Sequence, residues 1–153
     1  MSLDTISHVE IRPAGQKGLG VFATRDFKQG ETVVVARRVC VLPQRTIYSI
    51  QVDWDVHIEM DEPAIRINHS YHPTTGVRDN RFGAYDFVAL VDIAAGEEIT
   101  FDYETTESDL TEAFQRCCPP RNEGSDLSRR GFSSLSAELR QRYGEFVANY
   151  LKS

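Results

Sequence analysis

The first third of the chain alternates short apolar runs with turn residues, a pattern typical of strands and hairpins rather than helices. The apolar runs extend over residues Val9 to Ile11, Leu19 to Ala23 and Thr32 to Ala36, and turn residues separate them. The third run contains three consecutive valines, Val33 to Val35. This stretch predicts a strand that is buried on both faces, although periodicity alone leaves other modes of burial open.

The middle of the chain also predicts strands. Residues Thr46 to Ile58 alternate loosely and contain the only tryptophan, Trp54, so we expect a strand pair there. A turn over Tyr71 to Gly76 leads to the segment from Phe82 to Val91. The aromatic and β-branched side chains of that segment favour a further strand.

The composition changes after Tyr103. Residues 104–131 are polar and rich in Pro, Gly, Ser and Arg, which predicts a long connecting loop. From Ser134 to Leu151 the apolar residues recur at intervals of three and four, which predicts an amphipathic helix. A serine before Ala137 can cap the N-terminus of this helix, and Glu138 suits the positive end of its dipole.

Length and composition limit the class of protein. The chain has 153 residues, enough for one domain with its own core, and its 41% hydrophobic and 26% charged residues are typical of a globular protein. No stretch approaches the roughly 20 apolar residues that a membrane-spanning helix needs, so we expect no membrane association. The first residues lack a basic end followed by an apolar run, which argues against a secretory signal and for a cytoplasmic location.

The charge of the chain bears on its partners. The net charge is −6 and the pI is about 5.2. An acidic protein is repelled by phosphate backbones, so nucleic acid is not an expected partner. The same charge mildly favours a basic partner, such as a lysine-bearing peptide.

Three short segments carry the candidate chemistry: Gly18–Ala23 (GLGVFA), Asn68–Ser70 (NHS) and Gly96–Tyr103 (GEEITFDY). Each segment alone has an ordinary explanation as a turn, or as a turn that leads into a strand. A dinucleotide-binding loop is not supported, because the glycines are spaced G-x-x-G-x-G and a strand pattern follows them. In their order and spacing, the three segments resemble the signature blocks of the SET-domain family. Enzymes of this family use S-adenosylmethionine to methylate the amine of a lysine.

The resemblance implies a fold and a domain layout. The fold is mainly β, a β-clip of short curved sheets whose C-terminal segment passes under a preceding loop as a pseudoknot. This crossing is expected to bring Asn68 and Tyr103 side by side. Residues 1–110 would form the SET domain, and residues 111–153 would add a post-SET-like loop and the C-terminal amphipathic helix to the same folding unit.

The resemblance also implies the roles of individual residues. S-adenosyl-L-methionine is the expected cofactor, and Tyr103 is the expected catalytic residue. The glycines would let the backbone approach the methionine part of the cofactor, where a Cβ would collide. The residues expected to bind the cofactor are Gly18, Leu19, Gly20, Asn68 and His69. The residues expected to form the walls of the lysine channel are Tyr71, Tyr85, Phe87 and Phe101.

Methyl transfer of this kind depends on positioning. An in-line displacement from a sulfonium to an amine needs no metal and no nucleophilic side chain from the protein. The substrate lysine, whose ordinary pKa is about 10.4, must be deprotonated by desolvation beside the positive sulfonium. Tyr103 is expected to orient the reacting groups rather than to act as a strong base, because a phenol pKa of about 10 leaves little tyrosinate at neutral pH.

No metal site is predicted. Many family members have a cysteine after Asn-His-Ser that joins three later cysteines around a zinc ion, and here that position is Tyr71. The adjacent Cys117 and Cys118 match neither usual chelating spacing. Together with Cys40 they give an odd count, which favours free thiols in a reducing compartment. The C-terminal helix could close the cofactor site instead, or pack against a second subunit, so a homodimer stays open.

Other functions stay open beside protein-lysine methylation. Pro73 is followed by Thr74 where the family usually has asparagine, and residues 37–42 lack the expected tyrosine-glycine block. The insert between the two halves of the resemblance is also short. These departures leave room for an enzyme that acts on a small molecule or on S-adenosylmethionine itself. They also leave room for a binding module that has the fold without turnover.

Overall fold

The structure, a computed structural model, describes residues 7–46, 48–108, 132 and 135–152. These residues form ten short strands and one α-helix. The strands are β1 (Val9–Pro13), β2 (Leu19–Ala23), β3 (Thr32–Val35), β4 (Arg38–Leu42), β5 (Ile50–Asp53), β6 (Val56–Met60), β7 (Asn68–His69), β8 (Thr75–Asp79), β9 (Tyr85–Ala89) and β10 (Glu98–Phe101), and the helix is α1 (Ala137–Tyr143).

The strands make three small sheets. Their orders are β1-β2-β10-β7, β3-β9-β8 and β4-β6-β5. In the first sheet, β1 and β2 form an antiparallel hairpin around a 3₁₀ turn, Gly15–Lys17, and β10 adds to β2 in the antiparallel sense. The remaining pair, β7 with β10, is parallel. A hairpin cannot produce a parallel pair, so the chain must cross over itself to make this one.

The segment around β7 crosses β10 closely. Asn68 lies opposite Thr100, and the Ser70 main-chain N–H donates to the Phe101 carbonyl at 3.1 Å. A few residues later, the Thr75 hydroxyl donates to the Thr100 carbonyl at 2.7 Å. Two parts of one loop therefore bind β10, which is the crossing of remote segments that the predicted pseudoknot requires.

The main apolar core of the described residues lies between the sheets. Apolar side chains from all three sheets contribute to it, and alternation along each strand separates the buried residues from the exposed ones. This burial stabilises the fold by about 25 cal/mol per Å² of apolar surface. The fully enclosed apolar side chains include Val21, Ile58, Val77, Tyr85, Phe87 and Ile99.

Most of the strands predicted from the sequence are present, with three differences. β3 is not buried on both faces: Val34 packs in the core, whereas Val35 is 46% exposed, because only one face of its sheet meets the core. The predicted turn from Tyr71 to Gly76 is shorter than expected, since β8 already begins at Thr75. β4 was not predicted, and it forms by antiparallel pairing with β6 although most of its side chains are exposed.

The C-terminal helix is shorter than predicted. The Ser136 hydroxyl caps α1 by accepting the Leu139 N–H at 3.1 Å, which confirms a serine cap. The helix then ends at Tyr143, and Gly144 adopts a positive φ of 58°. The apolar residues beyond Gly144 are therefore outside the helix, and a 3₁₀ turn, Asn149–Lys152, follows them.

Part of the predicted connecting loop lies outside the described residues. This applies to residues 109–131, and hence to Cys117 and Cys118. Cys40 is an exposed free thiol on β4. The division of the chain near residue 110 stays a prediction.

Over the part of the chain that the structure describes, no helix has the length and apolar character needed to cross a membrane.

Candidate active site

Asn68 joins the three segments that carry the candidate chemistry. Its side-chain amide donates to the Leu19 carbonyl and to the Glu98 carboxylate Oε2, each at 2.9 Å. Leu19 belongs to the first segment and Glu98 to the third, so the three segments meet at one side chain. The pairing of β7 with β10 places Asn68 there.

Gly20 lies against this junction with no room for a side chain. A Cβ at Gly20 would come within 2.7 Å of Glu98 Oε2 and within 3.0 Å of Asn68 Nδ2. Gly18 has a different reason to be glycine: its φ is +86°, a conformation that side chains disfavour, and the space around its Cβ position is open. Leu19, between the two glycines, is exposed.

Two charged residues at this junction were not selected from the sequence. Lys17 Nζ forms an ion pair with Glu98 Oε1, and Glu98 is the more buried of the two. In the sequence both residues have the ordinary explanation of solvated charges in turns. The signal that could have found them is position, because Lys17 directly precedes Gly18 and Glu98 lies within the third segment.

Tyr103 lies beside the same junction and is held at both ends. Its main-chain N–H donates to His69 Nδ1 at 3.1 Å, and its hydroxyl donates to the Ile67 carbonyl at 2.9 Å. Because His69 Nδ1 accepts this bond, we assign the neutral tautomer with the proton on Nε2. The Tyr103 ring is half-buried. Tyr103 is also the first residue of a 3₁₀ turn, Tyr103–Thr105.

Aromatic rings extend from Tyr103 in two directions. The His69 ring lies 5.2 Å from the Tyr103 ring and 4.4 Å from the half-buried Tyr71 ring, centroid to centroid. On the other side, Phe101 lies 4.8 Å from Tyr103, and Phe87 lies 5.1 Å from Phe101. These separations suit edge-to-face contacts between rings.

Two of the predicted channel walls, Tyr85 and Phe87, are fully buried in this structure. The Tyr85 hydroxyl donates to the Gln51 carbonyl at 2.6 Å. Burial raises the pKa of Tyr85 well above its ordinary value. Both rings belong to β9 and pack in the apolar core, so their place in a lysine channel stays a prediction. Phe101 is also buried, and its ring packs against the Tyr103 ring.

A buried carboxylate follows the Tyr103 turn. Glu107 Oε2 accepts the Gln51 N–H at 2.8 Å and the Thr106 hydroxyl at 2.9 Å, and Arg45 Nε lies 3.4 Å from Oε1. Loss of solvation on burial raises the pKa of Glu107 above the ordinary glutamate value of 4.5, in opposition to these favourable contacts.

We expect Glu107 to make the free energy of unfolding depend on pH. Its folded pKa is raised, so the folded state retains a proton that the unfolded state releases. This contribution to stability is complete below pH 4.5 and is lost as the pH rises through the folded pKa. In urea unfolding, the stability of Glu107→Gln relative to the unmodified protein should therefore increase with pH above 4.5. A stability difference that did not change with pH would contradict the raised pKa of Glu107. Glu62→Gln, at an exposed glutamate, is the matched control.

The described ranges contain no group of three or more His, Cys, Asp or Glu side chains placed to hold a metal ion. The expected absence of a zinc site stays a prediction, because Cys117 and Cys118 are not among those residues.

Comparisons with known proteins agree on the fold. The sequence model of the SET domain matches residues 18–104, which is more than half of the chain. Among 234 matching chains of solved structures is a candidate histone methyltransferase from Plasmodium falciparum, with 18% identity and a TM-score of 0.53. The match covers 63% of this chain and 93% of the other. The comparison with curated proteins found no match. The predicted fold class of short β-sheets with a C-terminal helix is confirmed.

Proposed function

Because the chain belongs to the SET-domain family, we propose that it transfers a methyl group from S-adenosylmethionine to the amine of a lysine in a protein. One observation carries this proposal: the Asn68 amide bonds to both of the other signature segments. Tyr103 lies near this junction because it follows β10, the strand that pairs with the strand of Asn68.

The residues at the junction fit the amino-acid end of the cofactor. That end carries a carboxylate and an ammonium group, and the junction offers the Lys17 cation, the Glu98 carboxylate and the Asn68 amide. Lys17 would bind the carboxylate and Glu98 would bind the ammonium group. The missing side chain at Gly20 lets Glu98 and Asn68 approach each other closely at this place. Leu19 and His69, which lie on either side of Asn68, are the other proposed contacts. When bound, the cofactor supplies an electrophilic methyl group on a sulfonium.

Tyr103 is the residue proposed to set the geometry of transfer. Its hydroxyl donates to the Ile67 carbonyl, so its oxygen is oriented to act as an acceptor. An acceptor oxygen can align an amine or a polarised methyl group without taking a proton. The contacts with His69 and Phe101 limit the movement of the ring, and alignment of the reacting atoms supplies much of the rate gain in such reactions.

Aromatic surface near Tyr103 would help to deprotonate the substrate. Removal of a lysine ammonium from water lowers its pKa, which favours the neutral amine needed for attack. Tyr71, half-buried against His69, is the proposed wall that contacts the lysine stem. The net charge of −6 would favour the approach of a basic peptide. A cytoplasmic location and the absence of nucleic-acid binding stay predictions.

Calorimetry tests the proposed site directly. We expect S-adenosylmethionine and its demethylated product to bind with a stoichiometry near one per chain. Asn68→Ala should weaken both by about tenfold or more, because it removes charge-assisted bonds from the amino-acid end. Absence of heat with either compound would exclude the cofactor site and favour a binding module that lacks turnover.

A small-molecule substrate is the second candidate. The insert between β3 and β7 contains one sheet whose three strands have four or five residues each, which offers little surface to a long peptide. Mass spectrometry after incubation with labelled cofactor separates the candidates. Label in lysine-rich proteins supports the leading proposal, and label confined to a metabolite pool supports the second.

A further inference from the structure

Tyr143, the last residue of α1, reaches the segment that carries Tyr103. Its side chain is buried, and its hydroxyl donates to Asp102 Oδ2 at 2.7 Å. Asp102 is also buried and directly precedes Tyr103 in the chain. One hydrogen bond therefore links the C-terminal helix to the residue next to the proposed transfer site.

Asp102 determines the shape of the turn that begins at Tyr103. Its Oδ1 accepts the Glu104 N–H at 3.0 Å, as a capping residue does. Its carbonyl accepts from the Thr105 N–H at 2.9 Å and from the Thr105 hydroxyl at 2.6 Å. A rotation of the Asp102 side chain would break the cap and change the direction in which the Tyr103 ring leaves the backbone.

Asp102 also lies near the other contact of Tyr103. Its Oδ1 is 3.9 Å from His69 Nδ1, the atom that accepts the Tyr103 N–H. The Asp102 carboxylate therefore lies next to the hydrogen bond between the Tyr103 N–H and the His69 ring. A hydrogen bond to a buried carboxylate is stronger than one between neutral groups, so the bond from Tyr143 can hold Asp102 in this orientation.

We propose that Tyr143 is a positioning residue: through Asp102 it fixes the turn and the His69 contact that orient Tyr103. The expected loss of kcat rests on the proposed function. The orientation of the turn and of His69 does not. The competing explanation is that Tyr143 only anchors the helix, since it also packs with Leu135 and Val147.

Tyr150 provides a matched control. Its hydroxyl also belongs to the C-terminal segment and donates to the Thr106 carbonyl, three residues after Tyr103, without contact to Asp102 through that bond. Tyr143→Phe and Tyr150→Phe each remove one hydroxyl that bonds to the same short stretch of chain. A role confined to anchoring predicts similar effects from both substitutions.

Kinetics give the first readout. We expect Tyr143→Phe to lower kcat by about 10- to 100-fold with little change in the KM for the cofactor, as a loss of alignment does. Tyr150→Phe should leave kcat within about twofold even where its melting temperature falls equally. Asp102→Asn should reproduce the effect of Tyr143→Phe, and the double variant should be no worse than either single variant. Equal losses from Tyr143→Phe and Tyr150→Phe, or additive losses in the double variant, would overturn the proposal.

Nuclear magnetic resonance gives a readout that needs no turnover. With ¹⁵N-labelled histidine, the ring nitrogen signals of His69 should shift in Tyr143→Phe and Asp102→Asn and stay in place in Tyr150→Phe. Unchanged His69 signals in Tyr143→Phe would reject the coupling. Shifted signals in a protein that shows no methyl transfer would support the coupling and would count against the proposed function alone.

Discussion

Tyr103→Phe should lower kcat by about 100-fold or more while the protein keeps its fold. The substitution removes the hydroxyl that donates to the Ile67 carbonyl, and it leaves the ring contacts with His69 and Phe101 in place. Loss of one such hydrogen bond costs about 1 kcal/mol of stability, too little to unfold an ordinary domain. Single-turnover kinetics with saturating cofactor measure the chemical step without interference from product release.

Tyr85→Phe is the matched control for this result. It also removes a tyrosine hydroxyl that donates to a main-chain carbonyl, in this case that of Gln51 at 2.6 Å. Tyr85 is a core residue, so its substitution should reduce stability and leave the single-turnover rate within about twofold. If the two variants lost the same activity, or if Tyr103→Phe kept full activity, Tyr103 would not be the residue that sets the transfer geometry.

Gly20→Ala should weaken the binding of S-adenosylmethionine by about tenfold or more, with a modest effect on stability. The new methyl group would lie 2.7 Å from Glu98 Oε2 and 3.0 Å from Asn68 Nδ2. The Glu98 carboxylate is the end of a flexible side chain and can move away, so the fold survives. Its movement separates it from Asn68, and the proposed contacts to the amino-acid end of the cofactor are lost. Calorimetry with the cofactor measures this loss.

Gly30→Ala separates this effect from the general cost of replacing a glycine. Gly30 has a φ of +93°, and no atom lies within 4 Å of its Cβ position. Alanine there should cost about 1 to 2 kcal/mol of backbone strain. The affinity for the cofactor should be unaffected. Similar affinities for Gly20→Ala and the unmodified protein would show that the cofactor lies elsewhere.

The parts of the fold that local pattern specifies could be predicted from the sequence. The apolar run Leu19–Ala23 is a strand, and Ser136 caps the helix, because alternation and capping act over a few residues. The helix was predicted too long because the intervals of three and four continue past Gly144. The positive φ of that glycine, which ends the helix, leaves no trace in the apolar pattern.

The candidate site could be predicted only as far as motif order allows. The crossing that brings Asn68 close to Tyr103 was expected from the family resemblance, since no local rule pairs residues that far apart. The bonds from the Asn68 amide to Leu19 and Glu98 were not predicted. The family resemblance could not show which aromatic residues belong to the core and which lie at the site. Tyr85 and Tyr71 are both tyrosines close to the motifs, yet one is enclosed in the core and the other is half-exposed. The surroundings of a ring depend on tertiary packing, which residue type does not determine.

The pairing of β7 with β10 determines which unfolding events a bound ligand would oppose. Asn68 bonds to partners 49 residues before it and 30 residues after it, so its surroundings exist only once distant parts of the chain have come together. Such non-local contacts form late and dissolve with the whole domain. A compound bound there would have no affinity for partly folded species, and its full binding energy would oppose global unfolding. Saturating ligand should therefore slow the exchange of amides that open only on global unfolding, which we expect in the central strands β6 and β9.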